Sequence, residues 1–182
     1  MDLPNWNLKE FYPSFTSNLI NKDIKILKRK TGEFSLKFRG KLNSLKKKHL
    51  FQTLVDYEQI EELAQKIKSF AYLTYCTDQL NEKKKKFYQL IDESLSDIEK
   101  LIIFYGIELN NLNDKQLSVF FDSKYKNWIK NHKKFKKFQK SEDNEKILVE
   151  KSLTGSSAWI KFFDQSMTRL KFRFKENDLT ET

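Results

Sequence analysis

Residues 80–109 read LNEKKKKFYQLIDESLSDIEKLIIFYGIEL, and their apolar side chains recur at alternating steps of four and three. The positions are Ile91, Leu95, Ile98, Ile102, Tyr105 and Leu109. Because an α-helix repeats every 3.6 residues, this spacing places all six side chains on one face. The stretch predicts one long amphipathic helix, with the four lysines at 83–86 on a solvated surface.

Two further helices are predicted before this one. The first covers about residues 17–39 and ends at Gly40, which is placed as the residue just past a helix C-terminus. Its inward positions are predicted to be Leu19, Asp23, Leu27, Phe34 and Phe38. Ser44 is a candidate N-cap for the second helix, which continues to about Cys76, and residues 78–81 indicate a loop.

The predicted elements become shorter after Leu109. Asn113, Ser141 and Ser157 are candidate caps for short helices, and Gly155 is placed to end the one that starts at Ser141. Apolar and basic residues alternate over 170–174, which is a strand pattern with no visible partner. The prediction is an all-α fold, an elongated array of about seven or eight helices with a short strand-like tail. We expect a long-helix region over 1–112, a short-helix region over 113–174 and a polar tail over 175–182.

Composition excludes several classes of protein. The 182 residues are 38% hydrophobic and 14% aromatic, which argues against a disordered chain. Only four Gly and two Pro occur, so a turn-rich β-sandwich or barrel is not expected. No apolar stretch approaches a membrane span, and the first residues do not resemble a secretory signal. A single cysteine, Cys76, fits a reducing compartment and predicts a cytoplasmic protein.

The net charge is +10, which raises the question of a nucleic-acid partner. The positive residues are almost all lysine, with four arginines, and we attribute most of the excess to a general compositional bias. Between 124 and 140 aromatic residues alternate with lysines, a combination that can hold single-stranded nucleic acid. The interpretation favoured by the helical spacing is an ordinary helix with Tyr125, Trp128, His132 and Phe135 facing the core. Nucleic acid is therefore not the expected partner.

Catalytic motifs were sought and not found. Neither His49 nor His132 begins a His-Glu-x-x-His sequence, so no zinc peptidase site of that kind is present. Gly40 and Lys41 lack the other residues of a phosphate-binding loop, and the serines after Gly155 are better explained as caps. Cys76 and His132 are interpreted as packing residues. The sequence predicts no catalytic, cofactor-binding or metal-binding residue in this chain.

Three local patterns together resemble the oligoendopeptidase F family, bacterial zinc metallopeptidases akin to thimet oligopeptidase. Residues 6–15, WNLKEFYPSF, are similar to its opening Trp-Asp-Leu-x-x-Leu-Tyr, with Asn7 in place of the Asp. FRGKL at 38–42 resembles its Tyr-x-Gly-Lys-Leu. LTGSSAW at 153–159, followed by FFD at 162–164, resembles its Leu-Thr-Gly-x-x-Ala-Trp-x-x-Leu-Phe-Asp. The motif residues, expected to be structural, are Trp6, Tyr12, Gly40, Thr154, Gly155, Ala158, Trp159, Phe163 and Asp164.

The resemblance implies the non-catalytic, helical N-terminal region of a zinc-dependent oligoendopeptidase. In such enzymes this region helps wall a channel that admits short peptides, and the zinc ligands lie in a later catalytic domain that this sequence does not contain. The chain alone is then expected to be inactive and free of zinc. Its partner would be the catalytic domain of the same protein, with an exposed apolar patch where that domain docks, and the strand pattern at 170–174 would pair inside it.

Two other hypotheses remain open at this point. One is a stand-alone basic helical module that binds nucleic acid or an acidic partner. The other is a helical scaffold or inhibitor-like paralogue that has lost catalysis. Salt-dependent binding of single-stranded nucleic acid would favour the first. A His-Glu-x-x-His sequence encoded beyond residue 182 would argue against the second.

Overall fold

The computed structural model describes residues 6–175 and 177–179, and this part of the chain is all-α apart from one terminal hairpin. The fold class is as predicted, and the number of α-helices, eight in the described residues, agrees as well. The helices are α1 Asn18–Phe38, α2 Lys47–Cys76, α3 Glu82–Glu99, α4 Ile103–Asn111, α5 Asp114–Leu117, α6 Lys126–Lys134, α7 Glu142–Thr154 and α8 Ser156–Arg169. Short 3-10 helices occupy Leu42–Ser44, Ser118–Phe120 and Phe135–Phe138, and the strands are β1 Phe172–Phe174 and β2 Asn177–Leu179.

The core is built on α2, which packs against both α1 and α3. The centre of the core is an aromatic cluster in which the Tyr105 ring lies 5.3 Å from Phe34 and 4.7 Å from Tyr57. The Tyr105 hydroxyl is within 3.1 Å of the Thr53 hydroxyl, so the polar end of this buried side chain is satisfied. Among the described residues the fully buried apolar side chains extend from Tyr12 to Ile129, and α7 and α8 contribute none.

The segment before α1 is fastened to α1 and α2 by Tyr12. Its ring meets Phe70 edge-on at 5.0 Å, and its hydroxyl donates to Asp23 at 2.8 Å. Burial, together with the bond to the Asp23 carboxylate, raises the pKa of Tyr12 well above its ordinary value. The phenol therefore remains a hydrogen-bond donor at neutral pH.

The long helix predicted over residues 80–109 is wrong, because the chain breaks between Glu99 and Ile103. The break contains no Gly or Pro, and it is supported by a distant residue. Arg39, just after α1, donates from Nη2 to the carbonyl oxygen of Leu101 at 3.1 Å. Its guanidinium also lies 4.6 Å from the centroid of the Phe104 ring. The stripe that motivated the prediction is nevertheless buried or half-buried, so the change in direction keeps those side chains in the core.

Several predicted caps are confirmed. Asn113 caps α5 in a full capping box, and the Ser141 hydroxyl accepts from the amide of Asn144. Ser17, which was not among the predicted caps, caps α1. Gly40 follows α1 with a φ of 75°, as expected of a C′ glycine.

Other local predictions are corrected. Ser44 lies in a 3-10 helix, so α2 is capped at Lys46 without a side-chain bond. Ser157 lies inside α8, because that helix starts directly after Gly155. In the first turn of α1 the buried side chain is that of Ile20, whereas Leu19, which was predicted to face inward, is exposed.

The terminal strand does have a partner, contrary to the sequence-based expectation. β1 pairs antiparallel with β2, with Phe172 opposite Leu179 and Phe174 opposite Asn177. The turn includes Lys175 at a φ of 56°. The partner was missed because residues 177–179 lack an apolar alternation, and the pairing rests on backbone hydrogen bonds.

The positive φ at Gly40 generates a paired prediction on the two glycines of this region. Gly40→Ala should lower the free energy of unfolding by about 1 kcal/mol, because an L side chain is strained in the left-handed region. Gly32→Ala, inside α1, should raise it by about 0.5–1 kcal/mol through helix propensity. Neither added methyl group would meet a heavy atom within 4 Å, so backbone conformation alone sets the signs. Urea unfolding measures both, and effects of equal sign would contradict the assignment of Gly40.

Candidate interface on the C-terminal helices

The α7–α8 pair is attached to the rest of the molecule by polar bonds. Lys100 of the α3–α4 junction donates to Glu150 of α7 at 2.6 Å, and Lys161 of α8 donates to Asp92 of α3 at 2.7 Å. The Thr168 hydroxyl donates to Gln79 at 2.8 Å. Neither helix has a fully buried side chain, so the pair buries less apolar surface against the rest of the molecule than α1, α2 and α3 bury against one another.

Arg39 also links the end of α1 to α7, because its guanidinium donates to the carboxylate of Glu142 at the N-terminus of α7. Lys146 pairs with the same carboxylate at 2.7 Å. Partial burial acts to raise the pKa of Glu142, but the hydrogen bonds from Lys146 and Arg39 outweigh it and hold the pKa below its ordinary value. Glu142 is therefore ionised at neutral pH and joins α7 to the end of α1.

The amphipathicity of α8 is inverted. Its packed side carries Ala158, Lys161 and Thr168. Its outer side carries the α8 aromatic face, which we define as Trp159, Ile160, Phe162 and Phe163. Trp159 is 71% exposed, and its ring meets Phe162 edge-on at 6.1 Å. The large apolar side chains of this helix therefore face solvent and not the core.

The surface as a whole is larger than expected for a chain of this size. The accessible area is 12823 Å², whereas a compact monomer of 21.9 kDa exposes about 9,300 Å². Exposed apolar side chains that adjoin one another, as those of the α8 aromatic face do, mark interaction sites. The α8 aromatic face is therefore the candidate interface of the chain.

A groove of about 580 Å³ lies between α3 and the α7–α8 pair. Thr154 and Ala158 line one wall, and Asp92 lies on the other. The charged groups of the groove are largely neutralised within it, since Lys100 contacts both Asp97 and Glu150. It is a polar seam between two packed elements and offers no group arranged for catalysis.

The residues of the three sequence motifs lie in different parts of the fold. Trp6 is exposed and Tyr12 is buried against α2, whereas Gly40 lies at the end of α1. The third motif is brought together at the α7–α8 corner: Thr154 and Gly155 form the turn, Ala158 and Asp164 are half-buried, and Trp159 and Phe163 point outward. Glycine is required at 155 because a Cβ there would lie 2.8 Å from the Lys151 carbonyl oxygen.

Sequence reasoning missed the contacts that two residues, Glu108 and Arg39, make at the second motif. Glu108 of α4 accepts from the backbone amide of Gly40 at 2.6 Å and from that of Leu42 at 3.3 Å. Arg39, inside the motif, bonds to Leu101 and Glu142. The motif thus folds the end of α1 onto α4 and α7. No local signal pairs these residues, which lie more than 60 positions apart.

The predicted packing residues are placed as follows. His132 is half-buried, with Nε2 3.0 Å from the Gly106 carbonyl oxygen and its ring stacked on Trp128. Cys76 is half-buried, and burial raises the pKa of its thiol. His49 is exposed.

Within residues 6–175 and 177–179, no three His, Cys, Asp or Glu side chains are grouped so as to hold a metal ion. These residues would therefore not hold the zinc, which the family resemblance places in the catalytic domain. No helix among them is both long and apolar enough to cross a membrane.

Comparison with known families gives one match. Residues 108–172 match the family model for the N-terminal part of the M3 peptidases, described as Oligopeptidase F. The matched segment runs from Glu108 to the start of β1 and contains the third motif, whereas the first two motifs lie outside it. Searches of curated proteins and of solved structures gave no significant match.

The match is thus to a family of peptidase N-terminal regions, and it covers 65 of the 182 residues. Over residues 108–172 the chain is similar to the N-terminal region of the oligoendopeptidase F family, and the resemblance inferred from the sequence is confirmed for that segment.

The exposure of Trp159 predicts a small effect on stability. Trp159→Ala should lower the free energy of unfolding by less than about 1 kcal/mol, since the ring leaves no cavity when removed. Phe104→Ala, which truncates a ring that is 1% exposed, should lower it by about 3–5 kcal/mol. Denaturant unfolding of both variants gives the comparison. A loss above 2 kcal/mol for Trp159→Ala would place that ring in the core instead.

The Glu142 carboxylate predicts an acid-sensitive attachment of α7. Because its pKa is lowered in the folded state, its stabilising contribution is full above about pH 4.3 and is lost as the pH falls through the lowered pKa. We expect up to about 1 kcal/mol from this partly exposed pair. Hydrogen exchange of the α7 amides at pH 7 and pH 3 measures this contribution. The variant Glu142→Gln should lose the pH dependence of α7 stability, whereas the control Asp143→Asn should retain it. Equal behaviour of the two variants would contradict the assignment.

Proposed function

We propose that this chain is the non-catalytic N-terminal helical portion of a zinc-dependent oligoendopeptidase that hydrolyses short peptides. In the full-length enzyme it would wall the substrate channel, and its partner would be the catalytic domain of the same protein. The family match over residues 108–172 is the observation that carries the proposal. The long-helix region 1–112 and the short-helix region 113–174, followed by the tail 175–182, are the units we propose for it.

The α8 aromatic face supports a docked partner of this kind. A helix that turns polar residues inward and aromatic residues outward gains stability when a second apolar surface covers it. Lys161 is the one basic residue between Trp159 and Phe163, and its ammonium is paired with the carboxylate of Asp92. A protein surface can therefore cover the face without burying an unpaired charge.

The chain itself would supply no chemistry. Peptide hydrolysis in this enzyme class uses a zinc-activated water with a Glu as general base, and both would come from the catalytic domain. The role left to this chain is steric: it would restrict the channel to unstructured peptides. With one cysteine, a cytoplasmic location is the proposed one.

The test is complementation. The purified chain alone should not cleave a fluorogenic peptide, and it should retain no stoichiometric zinc after mild chelation. Mixed with a separately produced catalytic domain of an oligoendopeptidase F enzyme that lacks its own N-terminal region, it should bind and increase peptidase activity.

The α8 aromatic face should be necessary for that binding. Trp159→Asp/Phe163→Asp should abolish complex formation, whereas Leu36→Asp, at an 83% exposed position of α1, should leave it unchanged. Peptide cleavage by the chain alone would overturn the proposal. Binding that survives the double substitution would overturn the placement of the interface.

A further inference from the structure

The positive charge of the chain is concentrated in one segment. Residues 123–141 contain eight lysines and no Asp or Glu. The segment carries +8 of the net charge of +10, which leaves +2 for the other 163 residues. A general compositional bias would have spread the charge along the chain, so this segment needs a separate explanation.

The fold gives the lysines of this segment two different roles. Lys133 donates to the carbonyl oxygens of Asn110 and Leu112, and Lys124 pairs with Glu58 at 2.9 Å. The other group, which we call the α6 basic patch, is exposed and forms no ion pair within the described part of the chain. It consists of Lys130, Lys134, Lys136, Lys137 and Lys140, and the eighth lysine, Lys126, is exposed at the start of α6 and is not included in the patch. A cluster of unpaired positive charges of this kind attracts anionic partners.

Two aromatic rings stand within the α6 basic patch. The sequence predicted a helix with its aromatics in the core, but Phe135 is 65% and Phe138 63% exposed. Both lie on the 3-10 helix Phe135–Phe138, in which side chains at i and i+3 eclipse each other. The two rings therefore share one face. Lys137 extends its ammonium to 4.9 Å from the centroid of the Phe138 ring.

The charges around the rings distinguish between anionic partners. Phe135 and Phe138 border a groove of about 390 Å³ between α4, α6 and α7, whose other walls include Ile103, Glu99 and Glu145. The groove itself is thus apolar to acidic and is lined by no lysine, while Lys136 and Lys137 lie between its two phenylalanines in the sequence. A nucleotide matches this pattern, because its neutral base can stack inside while its phosphate stays on the rim. An acidic peptide would carry its charge inward, towards Glu99 and Glu145.

We propose that the α6 basic patch binds single-stranded nucleic acid, with two unpaired bases stacked on Phe135 and Phe138 and the phosphates held by the surrounding lysines. Stacking and lysine contacts tolerate any sequence, so little base specificity is expected. Base-edge recognition in duplex DNA relies most often on bidentate arginine, and no arginine lies in the segment. The inference stands independently of the peptidase proposal.

The test is fluorescence anisotropy with a labelled oligothymidylate of 15 nucleotides. Affinity should fall about a hundred-fold between 50 and 200 mM salt if five lysines release counterions from a single strand. Phe135→Ala/Phe138→Ala should weaken binding by about 30-fold, from the lower end of the stacking range. Phe162→Ala/Phe163→Ala removes two equally exposed rings elsewhere, 62% and 63%, and should have no effect.

A charge-matched pair completes the design. Lys136→Gln/Lys137→Gln should reduce the slope of log affinity against log salt by about 1.4. Lys22→Gln/Lys25→Gln, two exposed lysines of α1, should leave the slope unchanged. Because all altered side chains are exposed, thermal unfolding should confirm that every variant is folded.

Three outcomes would overturn the proposal. Equal losses for the two phenylalanine pairs would mean that the rings of the patch do not stack on bases. Equal slopes for the two lysine pairs would mean that the charge is used diffusely. Binding of polyglutamate of the same charge as tightly as the oligonucleotide would assign the patch to an acidic peptide.

Discussion

The arrangement of this fold depends on Arg39. Its guanidinium donates to Leu101 at the break between α3 and α4, lies over the ring of Phe104, and binds Glu142 at the start of α7. One side chain thus connects the end of α1 with three later elements. A lysine could not replace it, because one ammonium cannot direct planar donors at a carbonyl and a carboxylate while stacking on a ring. Without these bonds the carbonyl of Leu101 would lack that donor, and α7 would lose its link to α1.

Glu108 provides the complementary restraint from α4. Its carboxylate receives the amides of Gly40 and Leu42, so the turn that Gly40 makes possible is held against α4. Together Arg39 and Glu108 explain why a Gly-Lys-Leu sequence after a helix carries structural information. Glu108 is also the first residue of the segment that matches the family model, so that segment contacts the end of α1 from its first residue.

Local rules predicted the elements well and their junctions poorly. The caps Asn113 and Ser141 act within three residues, so the local sequence contains all the information that each cap requires. The break after Glu99 has no local signal, because it depends on Arg39 some 60 positions away. The sequence also does not determine whether an apolar helix face points to the core or to solvent. The spacing of Trp159 and Phe163 predicts that they share a face, but it does not predict what covers that face. For the same reason the candidate interface could be anticipated only through the family resemblance.

The two exposed aromatic surfaces, the α8 aromatic face and the pair Phe135 and Phe138, differ in the charges around them. On α8, Lys161 is paired with Asp92 and lies on the packed side, so covering the aromatic face desolvates no unpaired charge. Around Phe135 and Phe138 the five lysines have no acidic partners in the described residues, and a protein surface that excluded water would have to desolvate them. A polyanion neutralises those charges as it binds and leaves them near solvent. The distribution of counter-charges, more than aromatic exposure itself, is the reason we propose a folded partner for the first surface and a nucleic acid for the second.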